Sequence, residues 1–217
     1  MRRSSPSVLA LALVVALGAL AAPAVAEREV GTNKNDRIKG SRKRDKLSGR
    51  AGNDVIKGLG GRDRVLGGRG ADRLRGGRGN DKANGGADVD SVRGNDGNDR
   101  LLGGTGMDPI NGGPGDDLLI GGPDGDRLDG GPGNDVLSGG PDDDVLTGGD
   151  GDDTLEGGPG SDSYGMLGGV EVESPGNDVI QARDGSADEI NCGDGEDTAV
   201  VDEVEDGVID CEEVIEP

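Results

Sequence analysis

Aspartate recurs every nine residues through most of this 217-residue chain, and an apolar or aromatic side chain follows each one two positions later. Between residues 31 and 165 the spacing never slips, so this segment consists of fifteen nine-residue units. The aspartates at the sixth position of the units are Asp36, Asp45, Asp54, Asp63, Asp72, Asp81, Asp90, Asp99, Asp108, Asp117, Asp126, Asp135, Asp144, Asp153 and Asp162. Carboxylate oxygens are ligands of the hard type that Ca²⁺ takes, so the series predicts several cation sites.

Glycine surrounds each aspartate in the unit. It fills the first position of every unit and most of the second and fourth positions, where it permits positive φ and leaves turn carbonyls accessible. The full pattern Gly-Gly-x-Gly-x-Asp occurs in the units that begin at Gly67, Gly76, Gly103, Gly112, Gly130, Gly148 and Gly157. We therefore expect a six-residue turn followed by a three-residue strand, in which only the eighth position points inward.

Two such units would form one coil, with one strand and one turn from each. Turns eighteen residues apart then stack on the same side of the molecule, about 4.8 Å apart, because this is the spacing of neighbouring strands. Two oxygen ligands on opposite sides of a calcium ion are about 4.6–5.2 Å apart. The predicted stacking distance therefore suits Ca²⁺ held between turns.

The unit Gly-Gly-x-Gly-x-Asp-x-apolar-x resembles the hemolysin-type, or RTX, calcium-binding nonapeptide repeat. The resemblance implies an all-β, right-handed parallel β-roll that folds as it takes up several Ca²⁺ between stacked turns. One implied line of ligands contains Asp117, Asp135 and Asp153, and the other contains Asp108, Asp126, Asp144 and Asp162. Further implied ligands are Asp72, Asp81 and Asp99, with glycine-turn oxygens from Gly112, Gly115, Gly130, Gly133, Gly148 and Gly151.

Charge divides the array into two halves. Residues 27–100 hold 19 Lys and Arg against 12 Asp and Glu, a net charge of +7, whereas residues 101–217 hold 2 against 32, a net charge of −30. The acidic units carry third-position prolines at Pro114, Pro123, Pro132, Pro141 and Pro159. We expect weaker calcium binding in the basic, degenerate units of 27–100 than in the acidic, near-consensus units of 101–165. Asp124 and Asp142 replace the fourth-position glycine, which predicts either an added ligand or a strained turn.

The two ends of the chain differ from the array. Residues 1–26 have two arginines, an apolar run and the small-residue site Ala24-Val25-Ala26, which together predict a cleaved secretory signal and an extracellular protein. A membrane anchor is the alternative, but the apolar run is shorter than the roughly 20 residues of a spanning helix, so no membrane span is expected.

After Gly165 the register breaks, and we expect a loop over 166–172 followed by degenerate repeats and a cap that completes the 166–217 segment. The aspartate-x-apolar signature returns at Asp178, Asp188 and Asp197, with one extra residue at Ala182. Cys192 and Cys211 are predicted to pair, since two cysteines in an exported chain generally form a disulfide. A free-thiol or metal role is the alternative, although no histidine or further cysteine completes a zinc site.

Composition limits the other classes of function. The chain has no Phe, Trp or His and one Tyr, so a large-side-chain core and histidine general-base chemistry are both excluded. Every unit offers similar acids, and none is singled out by a basic or aromatic partner, so we expect no enzyme; a polysaccharide-active β-solenoid is the catalytic alternative. Without calcium we expect residues 31–165 to be disordered. We expect the calcium-bound protein to be a monomer. Thr147 and Thr154 are too few for an ice-binding row of threonines.

Lysine and arginine in the basic half support one alternative function. Outward positions seven and nine form rows that include Arg37, Lys39, Lys57, Arg64, Arg73 and Arg75, and such rows would suit an acidic glycan or another polyanion. The simpler interpretation is that these residues are solvated and offset neighbouring aspartates. Nucleic acid is not expected as a partner, because no aromatic side chains are available to stack on bases.

Overall fold

The computed structural model describes residues 28–167, 170–171, 177–182, 189–192, 196–201, 207–209, 211 and 213–215. The predicted secretory signal at 1–26 and the signature at Asp188 lie outside these residues. All regular secondary structure in the described part is β-strand. Within the same part, no helix has the length and apolar character needed to cross a membrane.

The strands fall into a longer and a shorter set. Strands of six residues are β3 (Lys46–Ala51), β4 (Val55–Gly60), β5 (Arg64–Arg69), β6 (Arg73–Arg78), β7 (Lys82–Ala87), β8 (Ser91–Asp96) and β9 (Arg100–Thr105). Strands of two to four residues are β1 (Arg28–Val30), β2 (Arg37–Lys39), β10 (Pro109–Asn111), β11 (Leu118–Ile120), β12 (Arg127–Asp129), β13 (Val136–Ser138), β14 (Val145–Thr147), β15 (Thr154–Glu156), β16 (Ser163–Tyr164), β17 (Met166–Leu167), β18 (Val170–Glu171), β19 (Val179–Ala182), β20 (Glu189–Asn191), β21 (Thr198–Val201), β22 (Gly207–Ile209) and β23 (Glu213–Ile215).

Successive strands alternate between two parallel sheets. One sheet has the order β1-β3-β5-β7-β9-β11-β13-β15-β19-β21-β23, and the other has the order β2-β4-β6-β8-β10-β12-β14-β16-β20-β22. Through the array the paired residues are eighteen apart, as in Leu47↔Val65 and Ile56↔Leu74. Each coil therefore contains two nonapeptides, and the predicted all-β parallel solenoid is confirmed.

The core is a single layer of eighth-position side chains between the two sheets. All fifteen are buried, namely Ile38, Leu47, Ile56, Val65, Leu74, Ala83, Val92, Leu101, Ile110, Leu119, Leu128, Leu137, Leu146, Leu155 and Tyr164. The seventh and ninth positions beside them are mostly exposed or half-buried, as in Arg37–Lys39. Burying one such aliphatic side chain contributes about 1.5–3 kcal/mol, and the period of two within each strand confirms the predicted inward position.

Strand length separates the two halves of the solenoid. The six-residue strands continue through positions one to three of the next unit, where Arg50 pairs with Gly68 and Ala51 with Arg69. From β10 to β15 the strands stop at position nine, and the third position of most of the units that follow is a proline, which lacks an amide hydrogen. Pro109 also interrupts the ladder, because β10 pairs with β8 only from Ile110.

The C-terminal segment resumes the coil after an inserted hairpin. Strands β17 and β18 are antiparallel, so the expectation of a plain loop over 166–172 is wrong for these residues. The sheet then continues with the pairs Thr154↔Val179 and Val179↔Thr198. The second pair is nineteen residues apart instead of eighteen, which accommodates the predicted extra residue. Cys192 and Cys211 form the predicted disulfide, with a Cα–Cα distance of 5.2 Å.

Candidate metal centres

The sixth-position aspartates form two straight lines along the solenoid, one at each set of turns. In each line the backbone N–H of an aspartate donates to Oδ1 of the aspartate in the next coil, at 2.6–2.9 Å. The first line contains Asp45, Asp63, Asp81, Asp99, Asp117, Asp135, Asp153, Asp178 and Asp197. The second contains Asp36, Asp54, Asp72, Asp90, Asp108, Asp126, Asp144 and Asp162. The stacking predicted from the eighteen-residue spacing is therefore present.

The second carboxylate oxygen of most of these aspartates is buried without a donor. Among the described residues, Oδ2 is inaccessible to solvent and accepts no hydrogen bond in Asp54, Asp63, Asp72, Asp81, Asp90, Asp99, Asp108, Asp117, Asp126, Asp135, Asp144 and Asp153. A buried carboxylate oxygen without a partner is costly, because nothing replaces the water it has lost. A bound cation would satisfy these oxygens, so the residues present fit a metal of oxygen-ligand type.

First-position glycines are required by these carboxylates. A Cβ on Gly130 would collide with Oδ2 of Asp135 in the same unit and lie 2.5 Å from the carbonyl oxygen of Gly148, and every first-position glycine meets its own aspartate in the same way. Positive φ, which the sequence suggested for all three glycine positions, is absent from the first. Close approach of the carboxylate, rather than backbone conformation, therefore selects glycine there.

Second- and fourth-position glycines have positive φ and stack on carbonyl oxygens of the preceding coil. A Cβ on Gly131 would lie 2.8 Å from the carbonyl oxygen of Gly113, and one on Gly133 would collide with that of Gly115. Turn carbonyls at these two positions therefore point along the solenoid axis, into the space between coils. Calcium commonly takes backbone carbonyls of this kind as ligands beside carboxylates.

The first-position carbonyls proposed as ligands already have a partner. The carbonyl oxygens of Gly112, Gly130 and Gly148 accept hydrogen bonds of 2.9 Å from backbone amides of the preceding coil. The fourth-position carbonyls of Gly115 and Gly133 point at the next coil instead. The structure thus places the fourth-position oxygens better for a cation than the first-position ones.

Aspartates at the fourth position occupy strained turns. Asp124 and Asp142 have φ of 76° and 79°, a region that side-chain-bearing residues rarely adopt. Oδ2 of Asp124 accepts a hydrogen bond of 3.0 Å from the amide of Gly106, which holds the turn in place. Of the two outcomes expected for these residues, strain is the one that the backbone shows.

Burial raises the pKa values of twelve aspartates in the two lines. The pKa reaches about 7 for Asp81, Asp90, Asp99, Asp117, Asp126, Asp144 and Asp153. It reaches about 6 for Asp63, Asp72, Asp108, Asp135 and Asp178. Desolvation is the main cause, the amide of the preceding aspartate opposes it, and neighbouring carboxylates add to it. A divalent cation between coils would favour the ionised form and remove this penalty.

Side chains alone do not complete a metal site. Within the described part of the chain, no three acidic, histidine or cysteine side chains converge closely enough to hold a metal ion. Each turn supplies one sixth-position carboxylate per coil, so a complete ligand set must include backbone oxygens. Because aspartate supplies the carboxylate and the glycine turns supply the backbone oxygens, both residues recur regularly in the unit.

Sequence reasoning missed two features of these lines. It did not foresee that each Oδ1 is held by an amide of the preceding coil, and it omitted Asp54, Asp63 and Asp90 from the ligand set. The signal for the omitted residues was available, because they occupy the same position in the unit. Their surroundings match those of the residues that were named, and the unpaired oxygens run through both halves of the array.

A parallel solenoid with two lines of buried carboxylates and axially directed glycine carbonyls defines the class of metal-binding repeat proteins. The RTX calcium-binding nonapeptide repeat matches this chain in four copies, at residues 30–65, 66–101, 102–137 and 129–164. These copies cover well over half of the chain, which belongs to this calcium-binding repeat family. No curated protein matches the chain.

Proposed function

We propose that this chain is a secreted calcium-binding protein that completes its fold by taking up several Ca²⁺ between stacked turns, and that it serves a structural or cell-surface role. The observation that carries the proposal is the series of buried Oδ2 atoms, which accept no hydrogen bond in the described residues from Asp54 to Asp153. A calcium ion supplies positive charge and coordination to such oxygens.

The chain itself fixes the carboxylates. A backbone amide holds Oδ1, as in the 2.7 Å bond from Asp117 to Asp135, and leaves Oδ2 directed into the turn. Glycine at the first position makes room for that oxygen, and second- and fourth-position carbonyls approach from the neighbouring coil. The site is thereby preorganised, while repulsion within a segment of net charge −30 opposes folding until cations are bound.

Secretion and the absence of catalysis are parts of the same proposal. Proteins with RTX repeats are typically secreted. The predicted signal at 1–26 and the Cys192–Cys211 disulfide support an oxidising, extracellular environment. Recovery of a chain that begins near Glu27 from the medium, with its disulfide intact, would test this. The proposal also assigns the protein no turnover of acidic polysaccharides, and reducing-end release from such substrates would contradict it.

Calcium titration of the mature chain tests the main proposal. Far-UV circular dichroism should change from coil to β-structure as millimolar calcium is added, and equilibrium dialysis should count several bound ions. Magnesium at the same concentration should not substitute, because it requires a stricter octahedral site. Absence of both bound calcium and a spectral change would refute the proposal.

A matched pair of variants locates the sites. Asp135→Asn removes a buried carboxylate beside two inter-coil spaces and should reduce the number of bound ions. Asp150→Asn removes the same charge from an exposed turn position and should leave the ion count unchanged. Equal effects of the two substitutions would show that calcium is attracted by general charge rather than held by the aspartate lines.

A further inference from the structure

Most lysine and arginine side chains of the basic half lie along one edge of the solenoid. Of the 19 Lys and Arg in residues 27–100, 13 lie in four stacked segments, 39–46, 57–64, 75–82 and 93–100. They are Lys39, Arg42, Lys43, Arg44, Lys46, Lys57, Arg62, Arg64, Arg75, Arg78, Lys82, Arg93 and Arg100, and all are exposed. We call this surface the basic edge. The four segments are the turns of alternate units with the strand positions beside them.

Two rows of cations flank the basic edge, in register from coil to coil. In one sheet Lys39 pairs with Lys57, Lys57 with Arg75, and Arg75 with Arg93. In the other sheet the paired residues form a second row, which contains Lys46, Arg64, Lys82 and Arg100. Strand spacing of about 4.8 Å makes each row roughly 14 Å long. A straight row with a fixed period suits a linear ligand with repeated negative charge.

A groove lies along each row. The larger has a volume of about 810 Å³ and is lined by Lys39, Arg42, Lys57, Arg75 and Arg78, with backbone of several glycines as its floor. The smaller, of about 450 Å³, is lined by the second row together with Arg44 and Arg62. Four glycines leave part of the larger groove without side chains, beside Leu59 and Asn95, so a flexible chain can approach the backbone there.

One exposed acid interrupts this surface. Asp96 borders the larger groove, and its Oδ2 lies 3.4 Å from Nε of Arg78. The other acids of the four segments are the buried Asp45, Asp63, Asp81 and Asp99, which border the smaller groove from inside. Calcium bound to the aspartate lines would neutralise these carboxylates and leave the outer cations dominant.

We infer that the basic edge binds an acidic polysaccharide, through carboxylate or sulfate groups spaced along a single extended chain. Arginine suits both groups because its planar guanidinium donates two parallel hydrogen bonds. Nucleic acid fits less well, because single strands need aromatic platforms and the chain's one aromatic residue, Tyr164, is buried in the core. The acidic half of a second copy is the other negatively charged candidate, and self-association would reveal it.

Binding to immobilised heparin and to polygalacturonate, in saturating calcium, tests the inference. Retention should be strong at low salt and lost at high salt, since the contact is electrostatic. The triple variant Lys39→Gln, Lys57→Gln, Arg75→Gln should bind about tenfold more weakly, as expected for three exposed charge contacts. The matched control Lys34→Gln, Arg50→Gln, Arg69→Gln removes equal charge from exposed positions outside the basic edge and should bind within about twofold of the parent.

Each contrary result has a definite meaning. Equal weakening by both triple variants would show that binding depends on net charge and not on the basic edge. Failure of the calcium-loaded, folded chain to bind either polysaccharide would overturn the inference. Salt-sensitive self-association that the first triple variant abolishes would assign the basic edge to a second copy. Tighter binding to duplex DNA than to heparin would assign it to nucleic acid. Circular dichroism in calcium confirms folding of each variant, so these outcomes are separate from failure of calcium binding.

Discussion

The coils before and after Thr105 have the same kind of interior, but their surfaces carry opposite net charge. In both, the eighth-position residue is buried, the sixth-position carboxylate faces into the turn, and an amide of the preceding coil holds its Oδ1. The earlier coils have longer strands and carry most of the cations, whereas the later ones have proline turns and the −30 charge. The two halves therefore share the first, sixth and eighth positions of the unit, whereas the outward positions differ between them.

Calcium removal should produce the largest difference in stability between the two halves. Without cations, repulsion within the acidic half is uncompensated, while lysine and arginine offset part of the charge in the basic half. Hydrogen exchange after chelation should therefore be at least about tenfold faster in peptides from 109–165 than in those from 46–105. Equal exchange in the two halves would show that the outward charges do not control calcium dependence.

Acidification should partly replace calcium. An aspartate with a pKa near 7 in the folded chain and 3.8 when unfolded binds more protons in the folded state between those pH values. The stability of the calcium-free fold therefore falls as pH rises through this window and increases as pH is lowered from 7 to 5.

Circular dichroism in a chelator should show more β-structure at pH 5 than at pH 7. Calcium affinity should change in the opposite direction, because protons compete for the same oxygens. A calcium-free chain that loses structure on acidification would contradict the raised pKa values of the aspartate lines. Isothermal titration at the two pH values, with matched ionic strength, measures the competing effect on calcium.

Core truncation should make the two halves behave alike. Leu74→Ala and Leu137→Ala each remove a fully buried side chain from the eighth position of a unit. Each should lower the free energy of unfolding in calcium by about 2–5 kcal/mol, measured by urea denaturation. A cost confined to one half would mean that the interior is not common to both, and the exposed Leu66→Ala provides the control, with a change within about 0.5 kcal/mol.

Exchanging second-position residues should give smaller effects of opposite sign. Leu59 has a φ of 85°, so Leu59→Gly relieves strain and should stabilise the basic half by about 1 kcal/mol. Gly131→Leu places a side chain where φ is 104° and the carbonyl of Gly113 leaves no space, and it should destabilise the acidic half by at least as much. Melting temperatures in calcium would compare the two, and the same sign for both would contradict the turn geometry.

Periodicity predicted the coil, the inward eighth position and the eighteen-residue stacking, because each depends only on the spacing of residues along the chain. It did not predict the amide that holds each Oδ1 or the reason for glycine at the first position. The amide contact depends on how closely one coil approaches the next, and the glycine depends on where the carboxylate of its own unit lies; the spacing of residues specifies neither. The hairpin of Met166–Leu167 with Val170–Glu171 was also missed, since a two-residue strand carries too little pattern to detect.

The amide-to-carboxylate ladder gives the solenoid a direction. The backbone amide of each aspartate donates to a carboxylate in the coil that follows. The last aspartates of the array therefore need an acceptor from residues C-terminal to the array. Asp178 and Asp197 provide that acceptor in succession, at 2.9 and 2.8 Å, and Asp197 lies between the two cysteines of the disulfide. A chain that leaves a membrane pore with its N-terminus first would leave each coil incomplete until the next eighteen residues emerge, so the last segment to appear is the one that closes the ladder.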